Sequence, residues 1–296
     1  MKEGAIVLAA PREIRTLAKS SLTGVWARFL LCYFIFYLIT QYIPGFLGRL
    51  IPGLSYIYEF DYMGVKQGIQ FTILPYITIL LLNGPFKFSL ARLHLRQMRE
   101  KTMEEKDIFS GFKFFTKTLV ANLIIWFIII IFILPFVLIG GLITVLLSSG
   151  GTIIQVVGSM LYMFSMIAGI IVAIYVMVIL TMTFYILSDN PTLKAAQAVK
   201  DSIALMRKNV GRYVILKLSY LMWIILGAMV SYVFASVVMS FLPDNAAIIY
   251  IVNVVSQLPI LLATIFMDRG EAFFYEFATG RLRRTEQRPL VPSFNN

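Results

Sequence analysis

The residue types that do chemistry are scarce in this chain. There is one histidine, His94, and one cysteine, Cys32, so a His/Cys metal site cannot be assembled and no internal disulfide can form. Carboxylates at Glu100, Glu104, Glu105 and Asp107 stand among lysines at helical spacing, where local ion pairs rather than acid–base catalysis are expected. No glycine loop suited to cradling phosphates is present. These absences point away from an enzyme or an ATP-driven pump, with no metal and no cofactor expected.

Ion-coupled transport places ionisable residues inside the bilayer. The deepest charges expected here are Arg28, Lys217 and Asp268, all near one end of their helices. At depth the sequence offers uncharged polar groups instead. They are Asn122, and Asn253, Ser256 and Gln257 just ahead of Pro259. Asn253, Ser256 and Gln257 are spaced to share a helix face. Pro259 has no N–H to give the carbonyl of Val255, so a nearby amide or hydroxyl could compensate. The cluster reads either as interhelical polar contacts or as a small polar cavity.

Charge also gathers in two basic stripes. Arg92, Arg96 and Arg99 recur at i, i+4 and i+7. Asn190 is a good N-cap and Pro191 a good first residue for a helix in which Val199, Ile203, Met206 and Val210 share one face. Lys194, Lys200, Arg207 and Lys208 take its other faces. The expectation is either solvated faces or lipid-headgroup binding, with apolar residues dipping into the acyl boundary while the cations meet phosphates.

The elements that position these residues follow from uncharged stretches. Residues 118–188, 71 in all, contain no Asp, Glu, Lys, Arg or His. About 20 helical residues cross the ~30 Å hydrocarbon layer, so this run holds two crossings, with the turn at Ser148-Ser149-Gly150-Gly151-Thr152. Residues 29–48, 67–86, 218–243 and 245–267 are also charge-free. Such runs are too long and too uniformly apolar for barrel strands. Six helices are predicted, over 26–43, 67–84, 118–147, 152–187, 213–241 and 245–268. The fold class is all-α: a polytopic membrane protein of three helical hairpins. Each hairpin follows a short cytoplasmic amphipathic helix lying at the interface, repeating about every 90 residues. Residues 1–24 form a cytoplasmic segment, 25–283 the membrane domain and 284–296 a cytoplasmic tail. No cleaved signal peptide is expected, and the first crossing serves as the insertion signal.

Of the 26 Lys and Arg residues, only Arg49 and Lys66 fall on one side of this map. The positive-inside rule therefore puts both termini in the cytoplasm of a cell with a plasma membrane of this kind. The net charge of +11 is explained by topology and attraction to anionic inner-leaflet lipid, without nucleic acid. The predicted outer loop, Pro44 to Lys66, carries the breakers Pro44-Gly45 and Pro52-Gly53 and the aromatics Tyr56, Tyr58, Phe60 and Tyr62. It reads as an aromatic interface belt or a docking surface for a peptide.

The stretch Tyr185-Ile186-Leu187-Ser188-Asp189-Asn190-Pro191, with Ala198-Val199-Lys200-Asp201-Ser202 and Leu205-Met206, resembles a bacterial integral-membrane family known as domain of unknown function 975. Gly111-Phe112-Lys113 with Phe115, and Ala272 to Phe277, echo two further family segments. The resemblance covers roughly residues 10–280. The aromatic outer loop departs from the family pattern, as does Tyr213 where a tryptophan is expected. The family is similar in layout to the membrane part of some glycerophosphodiester phosphodiesterases, whose chemistry does not carry over. The resemblance implies a six-helix bacterial membrane protein. With the missing chemistry, it leads us to expect a non-enzymatic lipid- or partner-binding role in envelope homeostasis. A transporter or lipid-moving protein, or an immunity protein against a membrane-active peptide, are the alternatives.

Overall fold

The computed structural model describes residues 10–51, 53–62, 65–147, 150–242 and 245–282. Ser148 and Ser149 of the expected turn, Pro52, Asp244 and the tail from Arg283 lie outside the described residues. Among the described residues, six helical stretches are long and apolar enough to cross a membrane, the number read from the charge-free runs.

The first crossing is α2 (Trp26–Tyr37), a π-helical turn over Leu38–Tyr42, and α3 (Ile43–Leu50). It outruns the expected end at residue 43. Pro44 sits in the first turn of α3, where a missing N–H costs least, and the wider π turn before it absorbs the ring. Most of the expected loop after it is ordered too. β1 (Ser55–Tyr62) and β2 (Val65–Thr72) pair antiparallel from Ser55↔Thr72 to Tyr62↔Val65. β1 reads Ser-Tyr-Ile-Tyr-Glu-Phe-Asp-Tyr, aromatic at every second position, which favours a strand. Because β2 claims residues 65–72, the second crossing starts later than predicted. α4 runs from Ile73 to Glu100, so Arg92, Arg96 and Arg99 belong to the crossing helix itself.

A 3-10 segment (Glu105–Phe114) leads into α5 (Phe115–Leu147), which pairs with α6 (Thr152–Leu180). Glycines let these two approach: Gly140 faces Tyr162, Gly158 faces Leu147 and Gly169 faces Phe136. Ser165 adds a hydrogen bond from Oγ to the Phe136 carbonyl at 2.7 Å. α7 (Thr183–Asp189) and α8 (Ala195–Arg207) follow. Asn190 does not cap α8. Its side chain closes a turn by accepting from the Thr192 hydroxyl at 2.6 Å, and the helix starts four residues later than predicted.

The third hairpin is α9 (Val210–Phe241) against α10 (Ala246–Ser256) and α11 (Leu258–Ala278). The last crossing breaks at Gln257, beside Pro259, and then continues well past residue 268. α1 (Pro11–Leu22) buries Ile14, Ala18 and Leu22 along one face.

Large apolar residues point outward along α5, α6 and α9, among them Phe127, Leu138, Ile171 and Met222. In lipid such a surface carries no hydrophobic penalty. The densest packing lies at the end where α4 and α11 finish and α2, α5 and α9 begin. There α1, α4 and α9 surround α11, whose residues Arg269 to Ala278 are all buried.

Candidate functional site: a polar core at the basic end

The buried half of α11 carries four charges: Asp268, Arg269, Glu271 and Glu276. Arg269 is fully buried and is held by uncharged acceptors. It donates to Ser21 Oγ at 2.8 Å, to the His94 carbonyl at 2.9 Å and to Gln97 Oε1. Its guanidinium also stands 5.7 Å from the ring centres of Phe29 and Phe273. The fork thus ties α1, α2 and α4 to α11.

Asp268, the residue before Arg269, is half-buried. Tyr33 donates its phenol hydrogen to Asp268 Oδ2 at 2.6 Å and lies 3.0 Å from His94 Nε2. With that hydrogen committed, Nε2 must carry the imidazole hydrogen and donate to the phenol oxygen. His94 Nδ1 is left without a partner, and Phe29 stacks on the ring at 4.5 Å. Tyr185 donates to the Asp268 carbonyl at 3.1 Å. Glu271, 7% exposed, pairs with Lys217 of α9, which also lies 5.6 Å from the Tyr213 ring centre. The Tyr213 hydroxyl is buried close to Thr181 and Glu271.

Nearer the surface a second network joins α4, α7 and α11. Asp189 accepts from Arg99 at 2.7 Å and from Tyr275 at 2.9 Å, and pairs with Arg281. Arg99 also reaches Glu276. The hydrogen bond to Asp189 holds Arg281 above the ordinary arginine pKa. Beside this network opens a cleft of about 640 Å³, lined by Arg99, Lys101 and Arg281 and by the apolar Leu17, Met98 and Phe273.

The residues singled out by sequence end up differently disposed. Arg96 pairs with Glu100 at 2.9 Å and Asp107 at 2.7 Å, and Arg99 is in the Asp189 network, so two arginines of that stripe hold the fold together. Arg92 is half-buried. Lys194, Lys200, Arg207 and Lys208 are exposed, whereas Ala198, Val199 and Met206 are buried against the bundle rather than left for lipid. Asn122 donates to the Leu80 carbonyl at 2.9 Å and accepts from Asn83 at 3.3 Å, joining α5 to α4. Asn253 is exposed and Ser256 buried, and each bonds within its own helix. Gln257 sits at the break between α10 and α11.

Sequence reasoning missed the α11 cluster. Its trace was visible in Asp268, Arg269, Glu271 and Glu276 spread through an aromatic helical run. Read alone, those charges mark the end of a membrane helix rather than a buried network.

A family model described as "Protein of unknown function (DUF975)" matches residues 9–280. No curated protein and no solved structure matches the chain.

Proposed function

The chain belongs to the DUF975 family of proteins of unknown function, and we propose that it is a non-enzymatic protein of the plasma membrane that binds anionic lipid with its basic end in the cytoplasm. In this reading it serves envelope homeostasis through lipid or partner binding. The observation that carries it is the cleft at the basic end. Its lining combines Arg99, Lys101 and Arg281, with Glu276 among them, and the apolar Leu17, Met98 and Phe273, the two kinds of contact that a lipid headgroup and its first methylenes require. Arg99 and Arg281 are held in place by Asp189 and Glu276, so they act as positioned donors. Lys101 is exposed at the left-handed C-cap of α4 and pairs with no acid among the described residues. The exposed cations of α8 extend the same basic end.

The test is lipid co-purification measured by native mass spectrometry. Lys101→Glu combined with Lys200→Gln, Arg207→Gln and Lys208→Gln removes cations that no ion pair uses among the described residues, so the fold should survive. Fewer retained anionic lipids are expected. An unchanged anionic lipid content in the folded variant would refute the reading.

A further inference from the structure

Most of the charge around the surface cleft is already balanced. Arg99 meets Asp189 at 2.7 Å and also reaches Glu276. Arg281 meets Asp189 and lies 4.0 Å from Glu276. Two guanidiniums and two carboxylates thus form a neutral quartet. Lys101 lines the cleft beside them and belongs to no ion pair among the described residues. The quartet and Lys101 together carry one net positive charge.

Balanced charge still leaves hydrogen-bond donors. A guanidinium has five N–H groups. Arg99 uses Nε and one hydrogen each on Nη1 and Nη2 for the two acids, so two N–H groups remain open among the described residues. With the ammonium of Lys101, they suit the oxygens of one phosphate.

The lining also holds an acceptor. Ser20 donates its hydroxyl to the Leu17 carbonyl of its own helix at 3.1 Å, which leaves the lone pairs of its oxygen to accept from a ligand hydroxyl. Ser21, next to it, donates to the Ala18 carbonyl at 3.0 Å and already accepts from Arg269.

A doubly charged ligand fits this lining poorly. Glu276, 4% exposed, is part of it, so a second negative charge would stand uncompensated near a carboxylate. Removing an uncompensated charge from water is costly. A cationic headgroup fits no better, because arginines already hold both carboxylates.

Resting on the lipid reading above, we infer that the cleft selects a phosphodiester lipid with one negative charge and a hydroxyl-bearing headgroup. This is the chemistry of phosphatidylglycerol. It is preferred over the phosphomonoester phosphatidate and over zwitterionic phosphatidylethanolamine. The phosphate meets Arg99 and Lys101, a headgroup hydroxyl donates to Ser20 Oγ, and the first methylenes lie on Leu17, Met98 and Phe273.

Two variants change the charge without touching the quartet. Lys101 has a left-handed backbone, φ 58°, which glycine adopts freely, so Lys101→Gly removes the ammonium and should fold. Ser20 is exposed, so Ser20→Lys adds a second net charge and removes the acceptor. Each protein in detergent is equilibrated with equal mole fractions of the three lipids at about pH 8, where the monoester carries nearly two charges. Native mass spectrometry reads what stays bound. Wild type should hold phosphatidylglycerol over phosphatidate by about fivefold. Lys101→Gly should retain about tenfold less phosphatidylglycerol, and Ser20→Lys should reverse the preference toward phosphatidate. Equal retention of the two anions by wild type would overturn the selectivity and leave the anionic-lipid reading standing. So would an unchanged preference in Ser20→Lys or undiminished retention in Lys101→Gly. Phosphatidylethanolamine held by wild type as well as either anion would remove the lipid reading, and the selectivity with it.

Discussion

Among the described residues Arg269 is the largest side chain buried below 2% exposure, and its three acceptors come from α1 and α4. Truncation would leave those acceptors without a donor, at roughly 1–3 kcal/mol each when buried. Arg269→Ala should therefore lower stability in detergent by at least about 2 kcal/mol, read as the midpoint of chemical unfolding. Arg269→Lys should recover little, because one ammonium cannot reach three acceptors arranged for a planar fork. Full recovery by lysine would show that charge alone matters there. Asp189 serves three donors at the surface of the same end, and Arg281 is 45% exposed, so screening makes Asp189→Asn milder, at about 1–2 kcal/mol. At this scale the sequence was least informative. Asp189 and Glu276 are 87 positions apart and meet through Arg99, and nothing local announces such a meeting. Asn122 is the exception, since an amide in an apolar run must find a partner and does so across the α4–α5 contact.

Helix packing explains which elements could be read and which could not. α5, α6 and α9 lie where their charge-free runs put them, because hydrocarbon exposure filters composition along their whole length. α4 and α11 were misplaced, because charge marks the end of a crossing only where a helix faces lipid. Both run on inside protein, where partners satisfy their charges. Close approach is the second constraint. A Cβ added at Gly84 of α4 would clash with the backbone carbonyl of Thr118 in α5, whereas at Gly141 of α5 it meets nothing. Gly84→Ala should destabilise by about 1–3 kcal/mol, with the helices forced apart. Gly141→Ala should leave stability within about 1 kcal/mol of wild type or slightly above it. Equal unfolding midpoints for the two variants would argue against the α4–α5 contact.

Across the whole molecule, three hairpins place the odd-numbered crossings' starts and the even-numbered crossings' ends together, and the cations gather there. This arrangement was legible from the spacing of charges alone, because membrane insertion sorts Lys and Arg by side. The β hairpin at the opposite end was not, since its alternating aromatics also suit an interfacial loop. In the orientation we propose, the polar core and the surface cleft lie on the cytoplasmic half of the bilayer. Single-cysteine accessibility in intact cells tests that placement most directly, in a Cys32→Ser background, the native cysteine being buried. Tyr56→Cys, at the hairpin, should react with a membrane-impermeant maleimide from outside. Lys200→Cys, on α8, should react only once the membrane is opened. Labelling of Lys200→Cys on sealed cells, with Tyr56→Cys protected, would turn the molecule over and contradict the account.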